Sequence, residues 1–208
     1  MPRAGLSRAV VVREGAAVAD EVGWDRLTLA QVAQRLGVRL PSLYKHVDGL
    51  DALRRDIAVL AAGQLGECLR EAAVGRSGGD ALRAVCGAYR AYARSHPGRY
   101  LATIRAPEPD DADLVAAAEA ILHTVYAVLA AYGLAGDDAV DATRALRAAL
   151  HGFASLEGAG GFGMPQDVER SFSRMVSGLD AAFTSWRSNG HPPVVDGASS
   201  APSHNAVS

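Results

Sequence analysis

The chain has 208 residues, 49% of them hydrophobic and 6% aromatic, with a formal net charge of −2 at pH 7. That length can bury a real core in one large domain or two small ones. No run approaches the roughly 18–20 uninterrupted apolar residues of a spanning helix, and the N-terminus lacks the order of a signal peptide, so a cytoplasmic protein is expected.

Alanine contributes 41 residues and β-branched runs are scarce, which points to an all-α protein of about nine helices. Cys68 and Cys86 have neither metal-ligand spacing nor the density of a disulfide scaffold and read as small core residues. From Ser7 to Gly23 the positions Val11, Val18 and Val22 recur at helical spacing, which gives a first helix ending at Gly23. Thr28 and Gln31 form a capping box ahead of a second helix with Leu29, Val32, Ala33 and Leu36 on one face. Gly37 breaks that helix, and Pro41 opens a third over Pro41–Val47. Two short helices with a glycine turn between them resemble a helix-turn-helix.

A fourth helix is expected over Leu50–Ala73, then a loop at Val74–Gly79 with Asp80 as the next cap. Further breaks fall at His96-Pro97-Gly98, Ala106–Pro109, Gly133–Gly136 and Gly158–Pro165. Helices eight and nine then cover about Asp138–Leu156 and Asp167–Trp186. Phe172, Met175, Val176, Leu179, Phe183 and Trp186 follow steps of three and four along the last helix and make one bulky stripe. From Ser188 the residues are mainly Ser, Pro, Gly, Ala and His, the composition of a disordered tail.

Charge is unevenly spread. Residues 1–13 carry Arg3, Arg8 and Arg13 with no acid, and residues 27–47 carry Arg35, Arg39 and Lys45 with no acid. Residues 61–208 hold twelve arginines against sixteen acids, net −4. A basic head on an acidic body is the pattern of a DNA-reading unit joined to something else. Over the stretch Leu36–Val47, Val38, Leu43 and Val47 can pack inward. Arg39, Ser42, Tyr44, Lys45 and His46 then face outward, the inventory for phosphate contacts and base-edge hydrogen bonds.

The order Leu27-Thr28, Val32-Ala33, Leu36-Gly37-Val38 and Leu43-Tyr44-Lys45-His46-Val47, over roughly residues 7–55, resembles the DNA-binding domain of the tetracycline-repressor (TetR) family. The resemblance implies a homodimeric, all-helical repressor whose larger C-terminal domain binds a small molecule and so releases operator DNA. Carried over by position, Thr28 and Tyr44 contact phosphates, while Arg39, Pro41, Ser42, Lys45 and His46 face bases or backbone. The chain departs from the pattern at Asp48-Gly49-Leu50-Asp51, where many members place a phosphate-anchoring lysine; Arg54 and Arg55 are the candidates to replace it. The implied division is residues 1–55 for the reader, 56–187 for ligand binding and dimerisation, and 188–208 for the tail. Tyr89-Arg90-Ala91-Tyr92, His96-Pro97-Gly98-Arg99-Tyr100 and Leu150-His151-Gly152-Phe153 resemble a TetR subgroup named for a Trp-His-Gly motif, with leucine in place of its tryptophan.

The helices beyond the reader carry Tyr89, Tyr92, Tyr100, Ile104, Tyr126 and His151, expected to line a mostly apolar cavity for an uncharged or weakly charged aromatic or lipophilic compound. The Phe172–Trp186 stripe, too apolar to leave exposed, is expected to pair helices eight and nine with their copies in a homodimer. Glu119 and His123 supply two ligands, too few for a metal site, and no cofactor fingerprint is present. The competing reading is a small helical enzyme or ligand carrier whose N-terminal unit is structural, but no nucleophile with an adjacent base and no carboxylate pair on a shared face supports it.

Overall fold

Ser7 starts the chain's first helix, α1 (Arg8–Val22), by accepting a hydrogen bond from Val10 N through its hydroxyl. The computed structural model describes residues 6–186, so the tail expected from residue 188 lies outside the described residues. A 3-10 turn at Trp24–Arg26 leads to α2 (Leu29–Leu36), which opens on the full capping box: the Thr28 hydroxyl accepts from Gln31 N, and Gln31 Oε1 accepts from Thr28 N at 2.8 Å. Gly37 ends α2 in the left-handed conformation at φ +65°, which costs a residue without Cβ little.

The third helix differs from expectation. Regular α3 spans only Leu40–Leu43, and the chain continues as a tight turn, because His46 N bonds to Leu43 O three residues back rather than four. Helix α4 (Leu50–Ala73) keeps its expected ends. Helix α5 (Gly78–Ser95) starts ahead of Asp80, which sits inside its first turn and pairs with Arg83 instead of capping. Then come α6 (Pro97–Ala102), α7 (Ala112–Ala130), α8 (Gly136–Gly158) and α9 (Val168–Trp186). The described residues are all helix and connection.

Two cores form. The first joins Val11, Leu29, Val32, Leu43, Val47, Leu53 and Ile57 with Ala61 and Ala102. The second joins Leu65, Leu69, Val85, Tyr89, Val125, Leu146, Phe172 and Phe183. Helix α4 runs through both, so the division expected at residue 55 falls inside a continuous helix. Among the described residues α7 has the length and composition to cross a membrane, with mean hydropathy 1.5, although Glu119 and His123 interrupt its apolar run. It lies along α4 and also meets α5 and α8.

The aromatic stripe of α9 is consumed inside the chain. Phe172, Val176 and Phe183 are buried in the second core, and Met175 and Leu179 pack against it, while Trp186 is exposed beside Phe183. That corrects the expectation that the stripe is left for a partner: α5 and α8 already cover it. Arg90, buried on α5, locks the same corner. Its guanidinium donates to Glu157 at 2.7 and 2.8 Å and to Glu169 at 2.7 Å, and lies 4.5 Å from the centroid of the Phe172 ring.

Helix α6 meets α1 backbone to backbone. A Cβ at Gly98 would collide with the Ala19 carbonyl and the Asp20 amide, whereas Gly87, exposed on α5, has open space where a Cβ would go. The same substitution therefore has opposite signs at the two sites. Gly98→Ala is expected to cost about 2–3 kcal/mol through forced separation of the helices, and Gly87→Ala to gain about 0.5–1 kcal/mol. Thermal denaturation of the two variants checks both signs.

Candidate functional site

The reader presents its polar groups on one short segment. Arg39 is the N-cap of α3, Pro41 occupies its first turn, and Leu43 and Val47 anchor the segment from beneath. Arg39, Pro41, Tyr44 and Lys45 are exposed, Ser42 and His46 half-buried. Tyr44, at 55% exposure, is an aromatic ring turned to water. None of the cationic or aromatic groups Arg39, Tyr44, Lys45 and His46 enters a side-chain hydrogen bond or ion pair among the described residues. Thr28, also exposed, spends its hydroxyl within the capping box, where it lies 2.8 Å from Gln31 Oε1. With no carboxylate between Leu27 and Val47, this surface is free to meet phosphates and base edges.

Much of the remaining positive charge of the head is already paired. Arg35 donates to Glu14 at 2.8 Å and to Glu21 at 2.6 Å. Arg8 grips Asp56 through two hydrogen bonds of 2.6 and 2.7 Å. Neither candidate for the missing anchor stands free. Arg55 donates to Asp111 at 2.8 Å through Nε and to Asp113 at 2.8 Å, and Arg54 reaches the Asp25 carbonyl at 3.4 Å with its guanidinium 5.8 Å from the Trp24 ring centroid. Sequence counts of charge could not show this, because the acids that Arg8 and Arg35 pair with, and Asp111 and Asp113 on Arg55, lie 14 to 58 positions away.

The second site is a cavity of about 330 Å³ bounded by α4, α5, α7, α8 and the segment after α6. Of the six residues expected to line it, Tyr89 does. The Tyr92 hydroxyl donates instead to the Ala61 carbonyl at 3.1 Å. Tyr100 is buried between Tyr89 and His151, with its hydroxyl 3.1 Å from Tyr89 Oη and 2.6 Å from His151 Nδ1. Burial pushes the Tyr89, Tyr92 and Tyr100 hydroxyls above the usual phenol range, so they act as neutral hydrogen-bonding groups. Ile104 and Tyr126 pack half-buried on the second core. The walls come instead from aliphatic residues, and Arg105, Glu119 and Arg147 also line the cavity. Thr143, Leu146, Arg147 and Leu150, at steps of three and four on α8, carry the signal that could have found it: an apolar helix face with an arginine in it. Ala102 belongs to the reader's core and also lines the cavity.

Comparison with known proteins places the chain among helix-turn-helix regulators. Residues 82–179 match the family described as tetracyclin repressor-like, C-terminal domain, a description that names no Trp-His-Gly subgroup. The chain is 40% identical over 181 residues to the uncharacterized HTH-type transcriptional regulator Rv0681 of Mycobacterium tuberculosis, covering 86% of this chain and 83% of that one. It is 32% identical over 173 residues to the uncharacterized HTH-type transcriptional regulator YobS of Bacillus subtilis, covering 83% and 90%. A TetR variant from Acinetobacter baumannii, solved in complex with minocycline, shares the fold at a TM-score of 0.62 and 24% identity, covering 88% of this chain and 99% of that one.

The Arg55 pairing yields a test. Asp111 both caps α7, accepting from Leu114 N at 3.1 Å, and holds Arg55, whose guanidinium keeps the Asp111 carboxyl below the usual carboxylate range. A depressed carboxyl adds stability that is present above its unfolded-state pKa and lost as pH falls through the folded one. Asp111→Asn keeps a capping side chain and removes the charge. The variant is expected to melt below the parent at neutral pH and to converge with it as pH falls below the usual carboxylate range, in melting curves recorded across pH.

Proposed function

The chain belongs to the TetR family of helix-turn-helix transcriptional regulators, and we propose that this DNA-binding regulator is a homodimeric repressor released from its operator by a small molecule held in the α4–α8 cavity. The observation that carries the reading is the division of labour among the charges. Arg8, Arg35 and Arg55 are spent on acids, while Arg39, Tyr44 and Lys45 stand exposed, with no side-chain hydrogen bond or ion pair among the described residues, on a segment anchored by Leu43 and Val47. Tyr44 and Thr28 serve as phosphate contacts, and Arg39, Ser42, Lys45 and His46 face the groove, with Pro41 fixing the first turn between them.

Effector release is supported by the cavity's position, since Ala102 is shared between its wall and the reader's core. A neighbour of the same fold holds minocycline. Dimerisation uses α8 and α9, through the side opposite the buried Phe172 stripe. Ala148 and Ser155 on α8, with Gly178, Ala181 and Ser185 on α9, leave small exposed groups there that admit close helix approach. Two readers related by a two-fold axis then enter the groove about 34 Å, or a multiple of it, apart on a near-palindromic site.

Sites selected from random DNA and assayed by gel shift test the reading. Binding is expected to be sequence-selective, with a log–log salt slope of roughly −5 to −7 for about six to eight neutralised phosphates; a slope near zero overturns it. Within the reader, Tyr44→Phe removes one hydroxyl and should weaken all sites alike by about 1 kcal/mol. Lys45→Ala should cost about 1–3 kcal/mol at the selected site and less at scrambled DNA, and equal losses would reassign Lys45 to the backbone.

A further inference from the structure

The cavity is aliphatic within and cationic at its rim. Leu65 and Leu69 from α4, Val85 from α5, Ile121 and Val125 from α7 and Leu146 from α8 supply apolar wall, and Tyr89 is the one aromatic ring among the lining residues. Such walls suit a flexible hydrocarbon better than a stacked ring system. The charged lining consists of Arg105, Arg147 and Glu119, all exposed, two cations against one acid. Arg147 Nη2 donates to the carbonyls of Thr103 at 3.2 Å and Ile104 at 2.7 Å, which fixes its guanidinium at the end of α6. No carboxylate lies within 4 Å of Arg105 or Arg147 among the described residues, so neither guanidinium is neutralised, and each retains donors beyond those that Arg147 spends on carbonyls.

We infer that the cavity takes an amphipathic monoanion, a carboxylate with an unbranched aliphatic body, whose head pairs with Arg147 and Arg105 and whose chain lies between α4, α5, α7 and α8. This deepens the effector reading above and rests on it. It also changes the chemistry expected from sequence, where an uncharged or weakly charged aromatic or lipophilic compound fits a tyrosine-lined pocket; Tyr89, Tyr92 and Tyr100 are spent on one another, on His151 and on the backbone. Glu119 on the same rim disfavours a dianion. A neutral chain of equal length meets the same walls but makes no head contacts, and a cationic one meets two like charges.

The test uses the full chain with its selected operator and three probes of one chain length, decanoate, decanol and decylamine, each below its micelle-forming concentration. Calorimetry is expected to show decanoate binding at least about tenfold tighter than either of the others, the scale of a charge-assisted pair at a partly exposed site. Arg147→Met should erase most of that preference. Because Arg147 also holds two carbonyls, Arg105→Met, which breaks no hydrogen bond seen in the fold, is the second variant and should lower decanoate affinity in the same direction. Decanol binding as tightly as decanoate, no binding of decanoate, or decanoate affinity unaltered in both variants overturns the assignment. Operator release is read separately by gel shift. Arginine-dependent decanoate binding that leaves operator affinity unchanged supports the ligand class and refutes the effector reading, whereas release by decanol and decanoate alike refutes the ligand class and supports the effector reading.

Discussion

Helix α6 lies directly on the backbone of α1, and the rest of the structure is arranged around that contact. At Gly98 no side chain separates the two helices, and a Cβ would strike the Ala19 carbonyl. Arg99 N donates to Asp20 Oδ1 at 2.8 Å, and its guanidinium Nε lies 3.0 Å from Oδ2 of the same carboxylate. Four residues on from Gly98, Ala102 closes the reader's core and lines the cavity. A close-packed interface of this kind is not continuously deformable, because separating backbones in contact leaves voids that nothing fills. Helix α6 therefore moves with α1 or is parted from it.

The second joint between the halves is electrostatic. Arg8, Asp56, Arg55, Asp111 and Asp113 form a connected chain from α1 through α4 to the start of α7. Single exposed pairs contribute little, but Asp56 is buried and accepts from two arginines, so removing either arginine leaves a buried charge less well paired. This use of arginine also reconciles a net charge of −2 with a DNA reader. Among the described residues Arg39 and Lys45, with Tyr44 between them, carry positive charge that no acid pairs, and the average over the chain carries no information about it.

Local chemistry is legible in the sequence and long-range geometry is not. The capping box at Thr28 and Gln31 and the left-handed Gly37 mark their helix ends through bonds three or four residues long, and the structure keeps them. The end of α3 falls earlier than Val47 because the i to i−3 bond at His46 competes with helix continuation, and composition does not decide between them. The α9 stripe is visible as apolar surface, yet its partner is α5 and α8 of the same chain, a choice made by the fold. The pocket is the more instructive miss. Tyrosines suggest lining because they combine area with a polar tip, but Tyr92 and Tyr100 satisfy that tip internally, and the aliphatic wall draws on residues from four helices that no single periodicity connects.

The apolar character of α7 then has a physical reason. One side packs along α4, while half-buried Val115, Ala118, Ile121 and Leu122 line the cavity, so the helix needs apolar residues on more of its circumference than a helix facing water does. A ligand that lowers operator affinity a hundredfold must favour one conformation by about 2.7 kcal/mol. At about 25 cal/mol per Å² that corresponds to roughly 110 Å² of apolar surface covered in one arrangement and bare in the other. A shift of the Thr103–Pro107 wall relative to α7 can change burial on that scale, because both contribute lining and neither is fixed across the opening by an ion pair among the described residues. Since that wall begins one residue after Ala102, the shape of the cavity and the seat of α6 on α1 are set by the same few residues.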